Sequence, residues 1–485
     1  MSKMELIGRE KEVQELERLY RTDKSEFVAV YGRRRVGKTY LINQVFSDRI
    51  VFRHTGITPV DINSRIEKSP MKVQLKAFFR SLNEQGGDFR KIPHDWYEAF
   101  LMLKELLEKK KNGKKRVVFL DELSFMDTRK SEFIRALSDF YNNYVSRQSD
   151  ILLIVCGSAT SYILNNLVNN HAGLYDRLTY QMKISPFKLK DTELLLLHNG
   201  WKLPRLEITK AYMIFGGIPF YLDYLNPDYS LARNIDNLIF RKDGSLRNEF
   251  SRLFSSTFTN AELTEKIVRS LFKKRIGLTK DELLKSLGKS DSPAFRNAVL
   301  ALEESDFVLK YIPFGGKKKD ERIKLIDPFC LFYLRFVDRN SAFNESFYSD
   351  NQFSQPVLSA QGYGFEDVCF NHIPEIKKAL GISGVQCEVG PYFQKDTDNN
   401  KAYQIDMVIV RKDNVVDLCE AKFSLSEFEL NLKGNQRLAE KISHLNELLP
   451  KRYIVQAVLL TTFGLKNSQY SSTFQSVITL DDLFS

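Results

Sequence analysis

Chemistry in this sequence concentrates first in Gly32-Arg33-Arg34-Arg35-Val36-Gly37-Lys38-Thr39. Two glycines spaced this way let the backbone curl so that its amide hydrogens face a polyphosphate. Lys38 then supplies charge to the β- and γ-phosphates, and the Thr39 hydroxyl supplies a magnesium ligand. A second cluster ends the apolar run RVVFLDE at 116–122. There Asp121 is placed to hold the metal's water shell and Glu122 to polarise an attacking water. The pair in this order points to hydrolysis of ATP with Mg2+, with Lys38 and Glu122 as its catalytic residues. At the end of a third apolar run, 151–160, Ser158 either senses the γ-phosphate or caps the next helix. Arg177 is either an arginine finger offered to a neighbouring subunit or half of a surface ion pair.

These groups need a rigid frame, and the pattern around them provides one. EFVAVY at 26–31 is a short apolar run, and YLINQVF at 40–46 has helical character. The glycine turn therefore falls between a strand and a helix, the setting in which such a motif binds phosphate. Further apolar strands at 116–122 and 151–157 predict a parallel α/β sheet with the chemistry at its carboxyl edge.

With these residues in view, the first half of the chain resembles AAA+/STAND ATPases of the archaeal type, which are similar in layout to origin-recognition ATPases. The likeness rests on Ile7-Gly8-Arg9-Glu10, GRRRVGKT, FLDE, CGSAT, the YDR and SPF segments, and Gly216-Gly217-Ile218-Pro219 with Tyr221-Leu222. It implies that Ile7, Gly8 and Arg9 lie beside the adenine. It also implies that the loop from Gly32 through Arg33, Arg34, Arg35, Val36, Gly37, Lys38 and Thr39 to Tyr40 contacts nucleotide together with Ser158. The GGIPFYLDYL segment contains no arginine, so the resemblance supplies no arginine sensor in the lid.

Beyond the lid, helical patterns at 261–272, 279–287 and 292–305 precede a hairpin pattern at 306–326, whose turn carries Lys317, Lys318 and Lys319. Three helices and a basic hairpin predict a winged helix-turn-helix, with the lysines either on DNA phosphate or in a solvated loop. Residues 338–355 read as a hinge. A helix at 362–380 and strands at 384–393, 403–411 and 415–423 follow, carrying Glu366, Asp406, Glu420 and Lys422. Asp406 and Glu420 on adjacent strands can hold Mg2+, with Glu366 completing the shell and Lys422 positioning water. This last quarter resembles the PD-(D/E)XK restriction-endonuclease-like fold, with ID in place of PD. The resemblance makes Asp406, Glu420 and Lys422 candidate nuclease residues and Gln436 an accessory one. The expected organisation is thus residues 1–188 as P-loop core, 189–255 as helical lid, 256–336 as winged helix and 337–485 as nuclease-like domain.

At 485 residues the chain exceeds what one hydrophobic core supports, in keeping with several domains. The 43% hydrophobic and 27% charged composition excludes a disordered chain. Cys156, Cys330, Cys369, Cys387 and Cys419 are odd in number and show no CxxC pair, so they read as reduced core thiols. The first residues lack the apolar core of a secretory signal, and a cytoplasmic location is expected. A net charge of +11 favours polyanions. Two functions stay open: an ATP-driven switch acting on DNA, and a regulatory STAND ATPase whose tail binds a partner protein. A homo-oligomer is compatible with either.

Overall fold

In the computed structural model, residues 6–58, 69–158, 160–168, 177–258, 260–338, 344–396 and 401–485 are described. The chain forms two compact units, one built mainly from residues up to Ser185 and the other mainly from Pro186 onward.

In the first unit, β1 (Glu26–Tyr31), β2 (Ile50–Thr55), β3 (Arg116–Asp121), β4 (Ile151–Gly157) and β5 (Tyr180–Lys183) make one parallel sheet in the order β2-β3-β4-β1-β5. The central strands β3 and β4 are buried along their whole length. Their continuous apolar character is what a parallel sheet covered on both faces requires. The helices α1 (Glu10–Tyr20) and α2 (Lys38–Val45) pack against each other. Three more, α3 (Pro70–Glu84), α4 (Trp96–Lys109) and α5 (Phe133–Asn143), bury Phe78, Trp96, Phe100, Phe133 and Phe140 with the sheet's side chains. Trp96 meets Phe133 edge-on at 4.8 Å and Phe100 stacks on Phe140 at 5.1 Å. Such pairs fix ring orientation as well as burying area, which makes this side of the sheet a stiff support.

The second unit begins with α6 (Leu189–His198) and α7 (Arg205–Phe215). Next come α8 (Ala261–Phe272), β6 (Leu278–Thr279), α9 (Lys280–Leu287), α10 (Pro293–Glu304), β7 (Val308–Tyr311) and β8 (Arg322–Leu325), the strands forming an antiparallel sheet in the order β6-β8-β7; the end of α10, from Leu300, groups with the first unit. A capping box between Thr279 and Glu282 starts α9. Then α11 (Gln355–Asn371) precedes β9 (Cys387–Asp396), β10 (Lys401–Arg411) and β11 (Val415–Lys422), an antiparallel meander. The crossover helix α12 (Leu432–Leu448) leads to β12 (Ile454–Thr461) and β13 (Ser476–Ile478), both parallel to β11.

The expected helix at 362–380 is in fact two, α11 and Ile373–Ala379, broken at His372. Proline at 374 accounts for the interruption, because it can begin a helix but cannot continue one. The segment expected to be a hinge contains a helix, Phe347–Asn351, held by Asp236, which accepts from the amides of Tyr348 and Ser349; its residues 339–343 lie outside the described residues.

Among the described residues two histidines are sealed inside, one in each unit. His54 contacts Ser81 through Nδ1, and His372 accepts the Leu189 amide at 3.1 Å on Nε2. Burial pulls both imidazoles down to about 4. The unfolded chain takes up these protons below about pH 6.5 while the folded chain resists until about pH 4. The stability they contribute is complete above pH 6.5 and is lost as pH falls through that window. Burial acts in the opposite direction on Asp417, pushing its carboxyl up to about 6. The expected result is therefore read as a difference: in urea unfolding followed from pH 7 to pH 4, His372→Gln loses less stability than the wild type, by roughly 1 to 3 kcal/mol. Parallel curves would remove His372 as an acid-sensitive element.

Candidate functional site

The glycine turn follows β1 and runs directly into α2. Gly32 has φ +140°, and a β-carbon there would lie 2.2 Å from the carbonyl oxygen of Ile184. Only glycine fits so tight an approach. Gly37, at φ +89°, turns the chain into the first residue of α2. The first-turn amides of that helix have no intrahelical acceptors, so they are available to an anion.

Lys38 is buried, and its ammonium donates to the carbonyls of Gly32 and Arg33, both at 2.8 Å. Burial pulls it below the usual lysine range, opposed by the nearby Cys156, Glu122 and Asp121. A phosphate beside Lys38 would restore its charged form. Thr39 Oγ1 donates to Asp121 Oδ2 at 2.7 Å, across 82 residues of sequence. A hydroxyl and a carboxylate so close form a hard-oxygen pair that fits magnesium.

Glu122 adopts a left-handed backbone, φ 51° and ψ 50°, unusual for a residue with a side chain. Its amide donates to Asp121 Oδ1 at 2.9 Å, and its own Oε2 accepts from the Ser158 hydroxyl at 2.9 Å. This turn separates two adjacent carboxylates, sending one toward Thr39 and the other toward the end of β4. Strained positions of this kind persist where surrounding structure enforces them. Here Gly56 contributes, since its amide donates to the Asp121 carbonyl and a β-carbon on it would meet the Glu122 carbonyl at 2.7 Å.

The structure thus gathers Lys38, Thr39, Asp121, Glu122 and Ser158 at the carboxyl edge of β1, β3 and β4. Other residues of the expected set take different places. Arg9, expected beside an adenine, sends its guanidinium to the carbonyls of Val36 at 3.2 Å and Ser185 at 2.7 Å. It braces the turn from behind, with one terminal nitrogen on those two carbonyls and the other on the Glu12 carboxylate at 3.3 Å. Arg33 is buried, Arg34 and Arg35 are half-buried, and Tyr40 is exposed. Ile7 and Gly8 precede α1, Gly8 with φ 65°. Arg177 is exposed and lies electrostatically near Tyr141, which packs on Phe27. That is the amino end of β1, a strand of six residues away from the glycine turn, so Arg177 does not reach its own chain's site. Residues 171–176 lie outside the described residues. Cys156, which sequence reasoning passed over as a core thiol, is buried between Asp121 and Lys38, and burial together with Asp121 raises its pKa.

A second convergence lies in the other unit. A register shift between Ile405 and Val408 interrupts the pairing of β10 with β9, and such an irregularity re-aims side chains. Asp406 sits in it, accepting from the Ala421 amide at 3.1 Å. Lys422 donates to Glu420 Oε2 at 3.1 Å and lies 3.8 Å from Asp406 Oδ2. Burial and the Glu420 charge raise the Asp406 carboxyl. Burial works against the Lys422 ammonium, but Glu420 and Asp406 outweigh it and hold its pKa up.

Glu366 lines the same cleft as Asp406, yet it is ion-paired with Arg275, and among the described residues no three acidic, His or Cys side chains are grouped to hold a metal. The guanidinium from beyond α8 neutralises the carboxylate that was to complete a metal shell. Gln436 is exposed, and Lys441, one helical face away on α12, is the residue that reaches Glu420. The helix buries Leu438 and Leu445, which sets Lys441 toward β11; that stripe was the signal in the sequence that could have found it.

Residues 6–225 match the family model described as an ATPase domain predominantly from Archaea. An uncharacterized protein of Methanocaldococcus jannaschii is 24% identical over 399 residues, spanning 80% of this chain and 82% of that protein. Among solved structures, the Walker-type ATPase of Pyrococcus abyssi superposes with a TM-score of 0.49 at 16% identity, over 68% of this chain and 96% of that one. The ORC2 protein of Aeropyrum pernix, in its ADPNP–ADP complexes, gives 0.43 at 15% identity, over 68% of this chain and 94% of that one.

Proposed function

We propose that the archaeal-type P-loop ATPase domain of residues 6–225 hydrolyses ATP with magnesium and thereby controls a DNA-directed second unit. The observation that carries the ATPase reading is the 2.7 Å contact of Thr39 with Asp121, beside a buried Lys38. In this reading Lys38 leaves the carbonyls of Gly32 and Arg33 for the β- and γ-phosphates, neutralising charge that grows during phosphoryl transfer. Thr39 and Asp121 hold magnesium, which supplies electrostatic stabilisation of the phosphate oxygens. Glu122 orients and polarises the attacking water, and Ser158 holds Glu122 and responds to the γ-phosphate. Arg177, at the opposite sheet edge from its own site, serves a neighbouring copy.

The helices α8, α9 and α10 with the β7–β8 hairpin are read as a winged helix-turn-helix. Lys317, Lys318 and Lys319 at the hairpin turn are all exposed, as phosphate contacts need to be. The closeness of Asp406, Glu420 and Lys422 supports a nuclease-like reading of the tail. A binding-module reading is favoured by a different observation: Lys422 and Lys441 both engage Glu420, Arg275 engages Glu366, and the cleft at Asp406 is only about 40 Å³.

DNA binding is tested by titrating a labelled duplex at several salt concentrations, with and without ATP. Three lysines on phosphate contribute a slope of about −3 in log affinity against log salt. Replacing Lys317, Lys318 and Lys319 together by Ala is expected to flatten the slope by about that much. No binding at low salt would favour the regulatory alternative, in which the tail holds a protein partner.

A further inference from the structure

The cleft at Asp406 is closed by charge from the segment read as a winged helix. Three cations line it, Arg275 from the turn between α8 and β6, and Arg322 and Lys324 from β8. Each is taken by an acid: Arg275 by Glu366, Arg322 by Glu282 at 3.2 Å and Lys324 by Asp367 at 2.5 Å. Glu366 and Asp367 are neighbours on α11, so that helix is held at two adjacent points. The Arg275 guanidinium also lies over the Tyr363 ring at 3.8 Å, which fixes its plane. Its charge opposes that of Lys422, which places it within electrostatic range of Asp406 and Glu420. The Arg275 and Glu366 side chains keep 33% and 16% of their surface exposed. An ion pair so enclosed has lost hydration on both partners, which offsets much of its attraction. It can therefore be exchanged for a phosphate on one side and a metal ion on the other.

We propose that the Arg275–Glu366 pair is an autoinhibitory latch that a DNA phosphate opens; this rests on the nuclease-like reading of the tail. The phosphate takes the guanidinium, a planar donor suited to two of its oxygens. Glu366 is thereby released to join Asp406, which lines the same cleft, in holding a divalent cation. The Arg275 nitrogen that faces Glu366 is enclosed, so phosphate reaches it only as the pair opens. Pro313, at the start of the turn that carries Lys317, Lys318 and Lys319, lines this cleft as well. A DNA backbone held by those lysines passes its mouth, and metal loading is confined to the DNA-bound chain.

The probe is Mn2+ alone, titrated by calorimetry into the nucleotide-free full chain, with a labelled duplex titrated separately at several salt concentrations. Arg275→Gln frees Glu366, so Mn2+ should bind about tenfold tighter than to wild type, a gain that adding Asp406→Asn removes. The same variant loses one phosphate contact, so its salt slope flattens by about one. Glu366→Gln frees Arg275, so the duplex should bind about tenfold tighter with a slope steeper by about one, and Mn2+ no tighter. A merely structural pair gives neither gain; breaking it lowers the urea midpoint of both variants and leaves both affinities at or below wild type. Mn2+ that binds through Asp406 equally well in wild type and Arg275→Gln overturns the latch and keeps the nuclease-like reading. No Asp406-dependent Mn2+ in either chain overturns both. Should Arg275→Gln fail to fold, Glu366→Gln decides, and an unchanged duplex affinity overturns the proposal.

Discussion

Lys38→Ala is expected to lower ATP turnover by at least about 100-fold while leaving the fold intact, the scale seen when one preorganised electrostatic group is removed. The ammonium is buried and is held by two backbone carbonyls of its own loop, so it sits where phosphate oxygens are to arrive. Alanine removes the ammonium that those hydrogen bonds hold inside the turn, and it leaves the Gly32 and Arg33 carbonyls to water. Glu122→Gln should produce a similar loss by another route. The amide still accepts from Ser158 but cannot polarise water, so nucleotide stays bound and unhydrolysed. Steady-state phosphate release paired with equilibrium nucleotide binding separates the two variants. Turnover unchanged in Lys38→Ala would dismiss the site; weak binding in Glu122→Gln would instead show that its carboxylate organises the ground state.

The second large effect concerns the tail. Asp406→Asn is expected to reduce magnesium-dependent nicking of DNA about 100-fold or more, and Lys422→Ala comparably. Burial and the Glu420 charge raise the Asp406 carboxyl, so a divalent cation beside Asp406 would favour its ionised form. Metal binding at this pair should consequently strengthen as pH rises, because it displaces a proton. Lys422 lies against both acids, and on the nuclease reading it would stabilise the charge that develops on the phosphate. Cleavage that persists in both variants removes the tail as its source. A wild-type chain that cleaves no form of DNA leaves the tail as a binding module, in line with the lysines that already neutralise Glu420.

The parts that were legible in the sequence are those whose chemistry is local. A glycine turn between a strand and a helix needs only eight contiguous residues, and β1, Gly32–Thr39 and α2 follow the pattern. The carboxyl end of β3 was equally readable, because a fully apolar run ending in two acids leaves little choice of register. In the tail the strands expected at 403–411 and 415–423 correspond to β10 and β11, since alternation and a turn at 412–414 fix a hairpin. What escaped is set by partners distant in sequence. Arg9 belongs to Val36 and Ser185 only once β1 and β5 pair, and Glu366 is claimed by Arg275, some ninety residues earlier, only once α8 and α11 lie together. Cys156 and Gly56 gain meaning from the left-handed turn at Glu122, which no local pattern announces.

The central claim is that one nucleotide-bound cation is shared by Thr39 and Asp121. The most direct measurement is a crystal structure of the chain with magnesium and a non-hydrolysable ATP analogue. The account predicts a triphosphate within the turn from Gly32 to Thr39, Lys38 moved from the carbonyls to the phosphates, and magnesium replacing the Thr39–Asp121 hydrogen bond. A triphosphate bound elsewhere, or that hydrogen bond intact beside a metal held by other residues, would contradict it.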